Sequence, residues 1–153
     1  TTHSFKDTMS YMLESAIDFA SAKAAAIWVR SNEDDSLTFV KGLHIFGLPS
    51  EKKPLKIGDG YTGKAALTKE VIAVADLVKK PDTEHRKAVQ NFKIKSLFSI
   101  PIKTNEELIG VLNIYTQDKR KVSGEEIELF RKWGETAAVI LNSVIINKKE
   151  NLH

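Results

Sequence analysis

Two apolar runs in the second half of the chain, residues 94–103 and 108–116, are separated by only Thr104-Asn105-Glu106-Glu107. Two parallel strands need a crossover of a dozen residues or more, whereas antiparallel strands close through a short turn. The two runs are therefore read as an antiparallel pair, with 108–116 the strongest strand in the chain. Pro101 has no N–H to donate, so it belongs at an edge, a bulge or a strand end. A second pair lies upstream. Residues 24–30, ending Ile27-Trp28-Val29-Arg30, run into the polar turn 31–36, and 37–44 reads as the hairpin partner. Short turns in both places imply a mostly antiparallel sheet.

Helical periodicity brackets these strands. Phe5, Met9, Met12, Leu13, Ala16, Ile17 and Ala20 recur at three- and four-residue spacing and predict a helix over 5–22. A Gly-rich turn at 58–63 leads into a short helix at 62–69, and 71–75 is a short strand closed by Asp76. Residues 77–93 form a linking segment that is helical in part, with Asp82 or Thr83 as N-cap and His85, Ala88, Val89 and Phe92 on one face. The last helix opens with Ser123 as N-cap and Glu126 three residues on, a capping box flanked by Val122 and Ile127. Glu128 is expected to pair with Lys132, and the helix should run to about residue 149. Helices at both ends of a run of strands suggest an α+β domain with both termini on one face of the sheet.

The chain has 153 residues and is read as one domain, 1–153, cut from something longer, since it lacks an initiator Met and a leader pattern. It contains no cysteine, which excludes disulfides, thiol catalysis and thioether-linked cofactors. A net charge of +3 is spread over short pairs such as Lys52-Lys53, Lys79-Lys80 and Lys148-Lys149 and the run Lys119-Arg120-Lys121, read as solvated loop charge. No basic stripe interleaved with aromatics is present, so no nucleic-acid partner is expected. No apolar run approaches a membrane span, and a cytoplasmic location is expected.

Gly58-Asp59-Gly60-Tyr61-Thr62-Gly63 fits the GxGxxG spacing of dinucleotide-binding folds, but that motif requires a strand before it and a βαβ unit around it. The stretch also nearly matches a P-loop through Gly63-Lys64, yet Ala65 stands where a Mg²⁺-ligating hydroxyl is needed. A nucleotide-binding enzyme using Gly58 to Lys64 is kept only as an alternative. The plain reading is a tight turn and a helix start.

The segments Gly58-Asp-Gly-Tyr-Thr-Gly-Lys-Ala65 and Val71-Ile-Ala-Val-Ala-Asp76 resemble the central signature of GAF domains. Ile94-Lys-Ser-Leu-Phe-Ser-Ile-Pro-Ile102, Glu107-Leu-Ile-Gly-Val-Leu-Asn-Ile-Tyr115 and Ser123-Gly-Glu-Glu-Ile-Glu-Leu-Phe130 resemble the strands and final helix that follow. The resemblance covers about residues 8–147. It implies a profilin-like, PAS-related α+β fold: an antiparallel sheet of five or six strands, the first and last helices on one face, a small-molecule pocket on the other. It also implies a regulatory, bacterial-type role in signal transduction. Bilin attachment and methionine sulfoxide reduction in this family use cysteines, so neither is expected, nor is haem. Thr116 and Gln117 stand where cyclic-nucleotide-binding members carry an Asn-Lys pair, which argues against that ligand.

Strand alternation divides the faces independently of the family. On 108–116, Leu112 and Ile114 suit packing under the terminal helices, and Asn113 and Tyr115 suit a polar-lined cavity. Leu97 and Ser99 take the corresponding side of 94–102. Trp28 is a candidate stacking wall, and Tyr61 and Asp76 end segments that border the pocket in the family. His85 completes the candidate ligand set. Five have a plain counterpart: core packing for Trp28, a neighbouring loop backbone for Asn113, a satisfied histidine for His85, a loop cap for Asp76, solvent for Tyr115. Bulky Trp28, Phe92 or Phe98 filling the cavity would favour a ligand-free dimerisation module instead. His3, His44 and His153 show no metal-ligand spacing, and no catalytic residues are expected.

On the last helix, Ile127, Phe130, Gly134, Ala137, Leu141 and Val144 form a three-four seam, widened by Leu129, Trp133, Val139, Ile140, Ile145 and Ile146. That is broad for one face on a sheet. The expectation is a homodimer through residues 5–20 and 127–146, a helix bundle that passes ligand state outward.

Overall fold

The computed structural model of the chain describes residues 4–151, with side chains through residue 145. His3, His153, Ile146 and the Lys148-Lys149 pair lie outside the described residues or side chains. The elements run α1 (Phe5–Ala20), β1 (Ala24–Arg30), β2 (Ser36–Leu43), a 3-10 turn (Pro49–Glu51), β3 (Leu55–Lys56), α2 (Gly60–Thr68), β4 (Ile72–Val74), α3 (Arg86–Phe92), β5 (Ser96–Lys103), β6 (Leu108–Thr116) and α4 (Gly124–Asn151).

The strands form one six-stranded sheet, ordered β3-β2-β1-β6-β5-β4, in which every neighbouring pair is antiparallel. The short-turn pairs β1–β2 and β5–β6 supply its centre, and β1 joins β6 to unite them. β3, only two residues long between Pro54 and Gly58, was not anticipated. Pro101 is accommodated opposite Val111, close to an irregularity of register between Ile102 and Lys103.

Alternation divides the core in two. Ala25, Ile27, Phe98, Ile100, Leu112 and Ile114 pack under α1 and α4 with Met9, Met12, Leu13, Phe130 and Leu141. Ala24, Ala26, Trp28, Leu97, Val111 and Tyr115 face the opposite way and are covered by Ala65 and Ala66 of α2, Leu77, Ala88 and Ile94. Phe98 therefore belongs to the helix side, stacked on Phe130, and does not plug the opposite face.

The helix ends follow local chemistry. Ser123 Oγ accepts from the Glu126 N–H and Glu126 Oε1 accepts from the Ser123 N–H, both at 3.2 Å, the expected capping box. Glu128 pairs with Arg131, which also reaches Glu135, instead of with Lys132. Arg120, expected as solvated charge, donates to the carbonyls of Ala20 and Ser21 at the end of α1. It thereby satisfies acceptors that a helix C-terminus leaves open.

The seam on α4 turns inward: Phe130, Gly134, Ala137 and Leu141 are buried against the chain's own sheet. Gly134 permits the approach, since a Cβ there would lie 2.4 Å from the Pro101 carbonyl oxygen. The apolar surface left over is Leu129, Val139 and Ile140 on α4, with Tyr11 and Phe19 on α1.

Candidate functional site

The face of the sheet away from the terminal helices carries a buried polar network. Residues 77–93 place His85 just before α3, at its N-cap and not within the helix as expected. Asp82 sets that position: its Oδ1 accepts from the His85 N–H at 3.0 Å and contacts His85 Nδ1 at 2.8 Å. The other ring nitrogen, Nε2, lies 2.7 Å from the Tyr115 hydroxyl. Asn113 Nδ2 donates to the same hydroxyl at 3.0 Å and to Thr62 Oγ1, in the first turn of α2, at 2.7 Å. Asn113 and Tyr115 meet because residues two apart on a strand share a face.

The direction of the network follows from what each group can give. A carboxylate only accepts, so a neutral His85 carries its proton on Nδ1. Nε2 then accepts from the Tyr115 O–H, whose oxygen accepts from Asn113. Burial pushes the Tyr115 phenol well above its ordinary range, which keeps the donor protonated. Burial also pushes the Asp82 carboxyl up, but the hydrogen bond from the His85 ring, with the N–H groups of Tyr61 and His85, outweighs it and holds the group below the ordinary carboxylate value. Beside it, Glu84 accepts from the Ser50 N–H at 2.7 Å. Burial dominates there and raises its carboxyl.

Two atoms stand outside this order. Asn113 Oδ1 and Ser99 Oγ are buried and have no hydrogen-bond partner among the described residues. Ser99 is the register partner of Asn113 across β5 and β6, so the two side chains are neighbours on the same face.

The candidate residues divide accordingly. His85, Asn113 and Tyr115 meet directly. Leu97 and Ser99 sit beside them on β5, and Trp28 belongs to the same inner cluster. Each of these six is 0% exposed. Tyr61 borders the cluster and spends its hydroxyl on the Lys80 carbonyl. Asp76 is turned to its own loop, where it accepts from the Lys79 N–H and lies 3.3 Å from Lys119. Asp82, Thr62, Ser50 and Glu84 were not anticipated as site residues. The only local signal was Asp82 three residues before His85. Among the described residues no cluster of His, Asp or Glu is placed to hold a metal ion. No described helix is long and apolar enough to cross a membrane.

The sequence profile of the GAF domain matches residues 2–142. This chain belongs to the GAF domain family. No curated protein sequence matches it significantly. Among solved structures it is similar to the GAF domain of a two-component sensor histidine kinase from Bacillus halodurans, with TM-score 0.76, 15% identity, 96% of this chain and 99% of that chain covered. It is also similar to the GAF domain of a phosphoenolpyruvate-protein phosphotransferase from Coxiella burnetii, with TM-score 0.74, 20% identity and coverage of 99% and 88%. A third similar structure is the free methionine-R-sulfoxide reductase of Neisseria meningitidis in complex with its substrate, with TM-score 0.71, 12% identity and coverage of 92% and 81%. At these identities the likeness establishes the GAF fold. The fold serves signalling proteins and an enzyme alike, so function has to be argued from the residues of this chain.

Proposed function

We infer that this GAF domain is a regulatory module that holds a small ligand on the inner face of its sheet and passes the ligand state through paired terminal helices. It catalyses no reaction and works in the cytoplasm as part of a signal-transduction protein. One observation carries the ligand reading: Asn113 Oδ1 and Ser99 Oγ are opposed, buried and unpartnered among the described residues. A buried polar atom left unmatched costs about 1–3 kcal/mol. A molecule that gives a donor to Asn113 and a partner to Ser99 removes that cost. The regulatory role is supported by the sensor-kinase origin of a similar domain. With no cysteine the chain has no thiol redox chemistry to offer.

Native mass spectrometry of gently purified protein is the direct test, and a co-purifying small molecule is the expected result. Asn113→Leu should abolish its retention and cost about 1–3 kcal/mol of stability, because removal of the unmatched acceptor only partly offsets the buried Thr62 hydroxyl left without its donor. Equal retention by both proteins would refute the site.

The second reading, a ligand-free dimerisation module, is favoured by the complete burial of Trp28, His85, Asn113 and Tyr115. It predicts that nothing co-purifies. A nucleotide enzyme is disfavoured because the Asp82 carboxylate sits at the start of α2, where a phosphate would have to bind. No ATP turnover is expected.

The dimer reading rests on Leu129, Val139 and Ile140 of α4, which are 52%, 68% and 41% exposed, beside Phe19 of α1 at 50%. Val139→Glu with Ile140→Glu should convert a dimer into a monomer. Sedimentation velocity checks this, and an unmodified chain that sediments as a monomer at high micromolar concentration would exclude the bundle.

A further inference from the structure

We propose that the outer side of residues 77–95, together with Phe46, docks the domain on an anionic membrane surface. Six basic side chains meet the lipid headgroups and Phe46 is the apolar tip. The proposal is independent of the ligand reading, since it concerns the side of this segment that faces away from the buried network.

Residues 77–95 carry Lys79, Lys80, Arg86, Lys87, Lys93 and Lys95, and all six are exposed. None of them enters an ion pair among the described residues. The two acids of the segment are turned inward: Asp82 accepts from the Tyr61 and His85 N–H groups, and Glu84 from that of Ser50. The segment therefore shows its bases outward and spends its acids within. Its excess of four bases is larger than the net charge of the whole chain, +3, so the remainder is slightly acidic.

The fold gathers this charge. The Leu77 N–H donates to the Lys95 carbonyl at 2.7 Å, which ties the two ends of the segment together. Lys79 and Lys80 are thereby brought to the same end of the sheet as Lys93 and Lys95. The opposite end carries Glu33, Asp34 and Asp35 in the β1–β2 turn and Glu106 and Glu107 in the β5–β6 turn, all exposed. A charge asymmetry of this kind turns the basic end toward a negative surface.

The apolar tip is a separate observation. Phe46 is 72% exposed, although Ile45 before it is 3% exposed and Leu48 after it 2%. The backbone passes through the left-handed region at His44 and Gly47, with φ +63° and +78°. The flanking side chains anchor the loop and the ring is held out. It rests edge-on against Phe92 of the basic segment, with centroids 4.9 Å apart. Val78, 52% exposed, adds a second apolar side chain on that segment.

The residue types select a membrane among negative partners. Protein interfaces are enriched in Arg and depleted of Lys, whereas five of the six bases here are Lys. Nucleic-acid recognition draws on the planar fork of Arg and on aromatic faces that stack bases, and the segment has one Arg. A headgroup layer needs only clustered positive charge on flexible stems and an apolar side chain that enters the acyl boundary.

Co-sedimentation with vesicles tests this. The domain should bind phosphatidylcholine vesicles that contain about 30% phosphatidylglycerol, and not phosphatidylcholine alone. Binding should be lost in about 0.5 M NaCl. Lys80→Gln with Lys93→Gln should weaken binding at least about tenfold, and Phe46→Ser about fivefold. Lys6→Gln with Lys132→Gln removes the same charge from the terminal helices and should leave binding unchanged. Circular dichroism confirms that each variant is folded. Equal loss in the two double variants would show attraction by net charge alone and overturn the proposal. Failure to bind anionic vesicles overturns it as well. Tight binding of a single-stranded DNA oligonucleotide by a domain that ignores those vesicles would assign the surface to nucleic acid instead.

Discussion

Trp28→Ala is expected to destabilise the domain by about 3–5 kcal/mol, measured by urea unfolding against the unmodified chain. The side chain is completely buried at the centre of the inner cluster, with Phe39 packed edge-on at 5.6 Å. Its Nε1 donates to Ser50 Oγ at 3.0 Å. Truncation therefore removes a large ring from a close-packed place and leaves the Ser50 hydroxyl without its donor. The consequence should be regional. Ser50 donates its N–H to Glu84, one residue from His85, so the indole ties β1 to the 3-10 turn and to the segment that holds the network closed. Hydrogen exchange in Trp28→Ala should accelerate first in residues 45–57 and 77–92, while α1 and α4 keep their protection. Trp28→Phe retains most of the ring and should lose only about 1–2 kcal/mol. A loss below 1 kcal/mol for Trp28→Ala would mean that the inner cluster is not a load-carrying core.

The division of the sheet into two faces was legible because strand alternation needs no knowledge of distant contacts. Leu112 and Ile114 lie under the end helices, and Asn113 and Tyr115 lie opposite, as the period of two requires. The Ser123–Glu126 capping box was legible for the same reason, since its partners are three residues apart. β3 was not, because two residues carry no period, and its pairing with Ser36 and Leu37 depends on the loop returning past β2.

The candidate site was legible as separate residues and not as a network. His85, Asn113 and Tyr115 could be nominated singly. What joins them spans long stretches of chain: 30 residues from His85 to Tyr115, 51 from Thr62 to Asn113 and 34 from Ser50 to Glu84. Single-sequence patterns extend over a turn or a strand, so pairings of this length are invisible to them. Asp76 went the other way, into a cap for its own loop. The α4 seam was visible as a stripe, but only the fold decides whether a stripe meets the chain's own sheet or another molecule.

Gly110→Ala is expected to abolish the native fold or to cost more than about 3 kcal/mol, read by circular dichroism and urea unfolding. The glycine carries no positive φ, so the reason is space and not backbone freedom. It lies on β6, paired with Val29 of β1 and Ile102 of β5. A Cβ built there would stand 2.1 Å from the Trp28 carbonyl oxygen and 3.2 Å from its carbonyl carbon. Those atoms are backbone in the middle of the sheet, and they cannot swing aside as the end of a side chain could. Relief would require β1 and β6 to separate, which breaks the joint between the two hairpins and carries Trp28 away from Ser50. Gly124→Ala supplies the control. It sits at the start of α4 with open space around the added methyl, and its effect should stay within about 0.5 kcal/mol. If the two variants proved equally stable, the tight β1–β6 joint would have to be wrong. The inner face would then lose the rigid floor against which Asp82 and His85 are held.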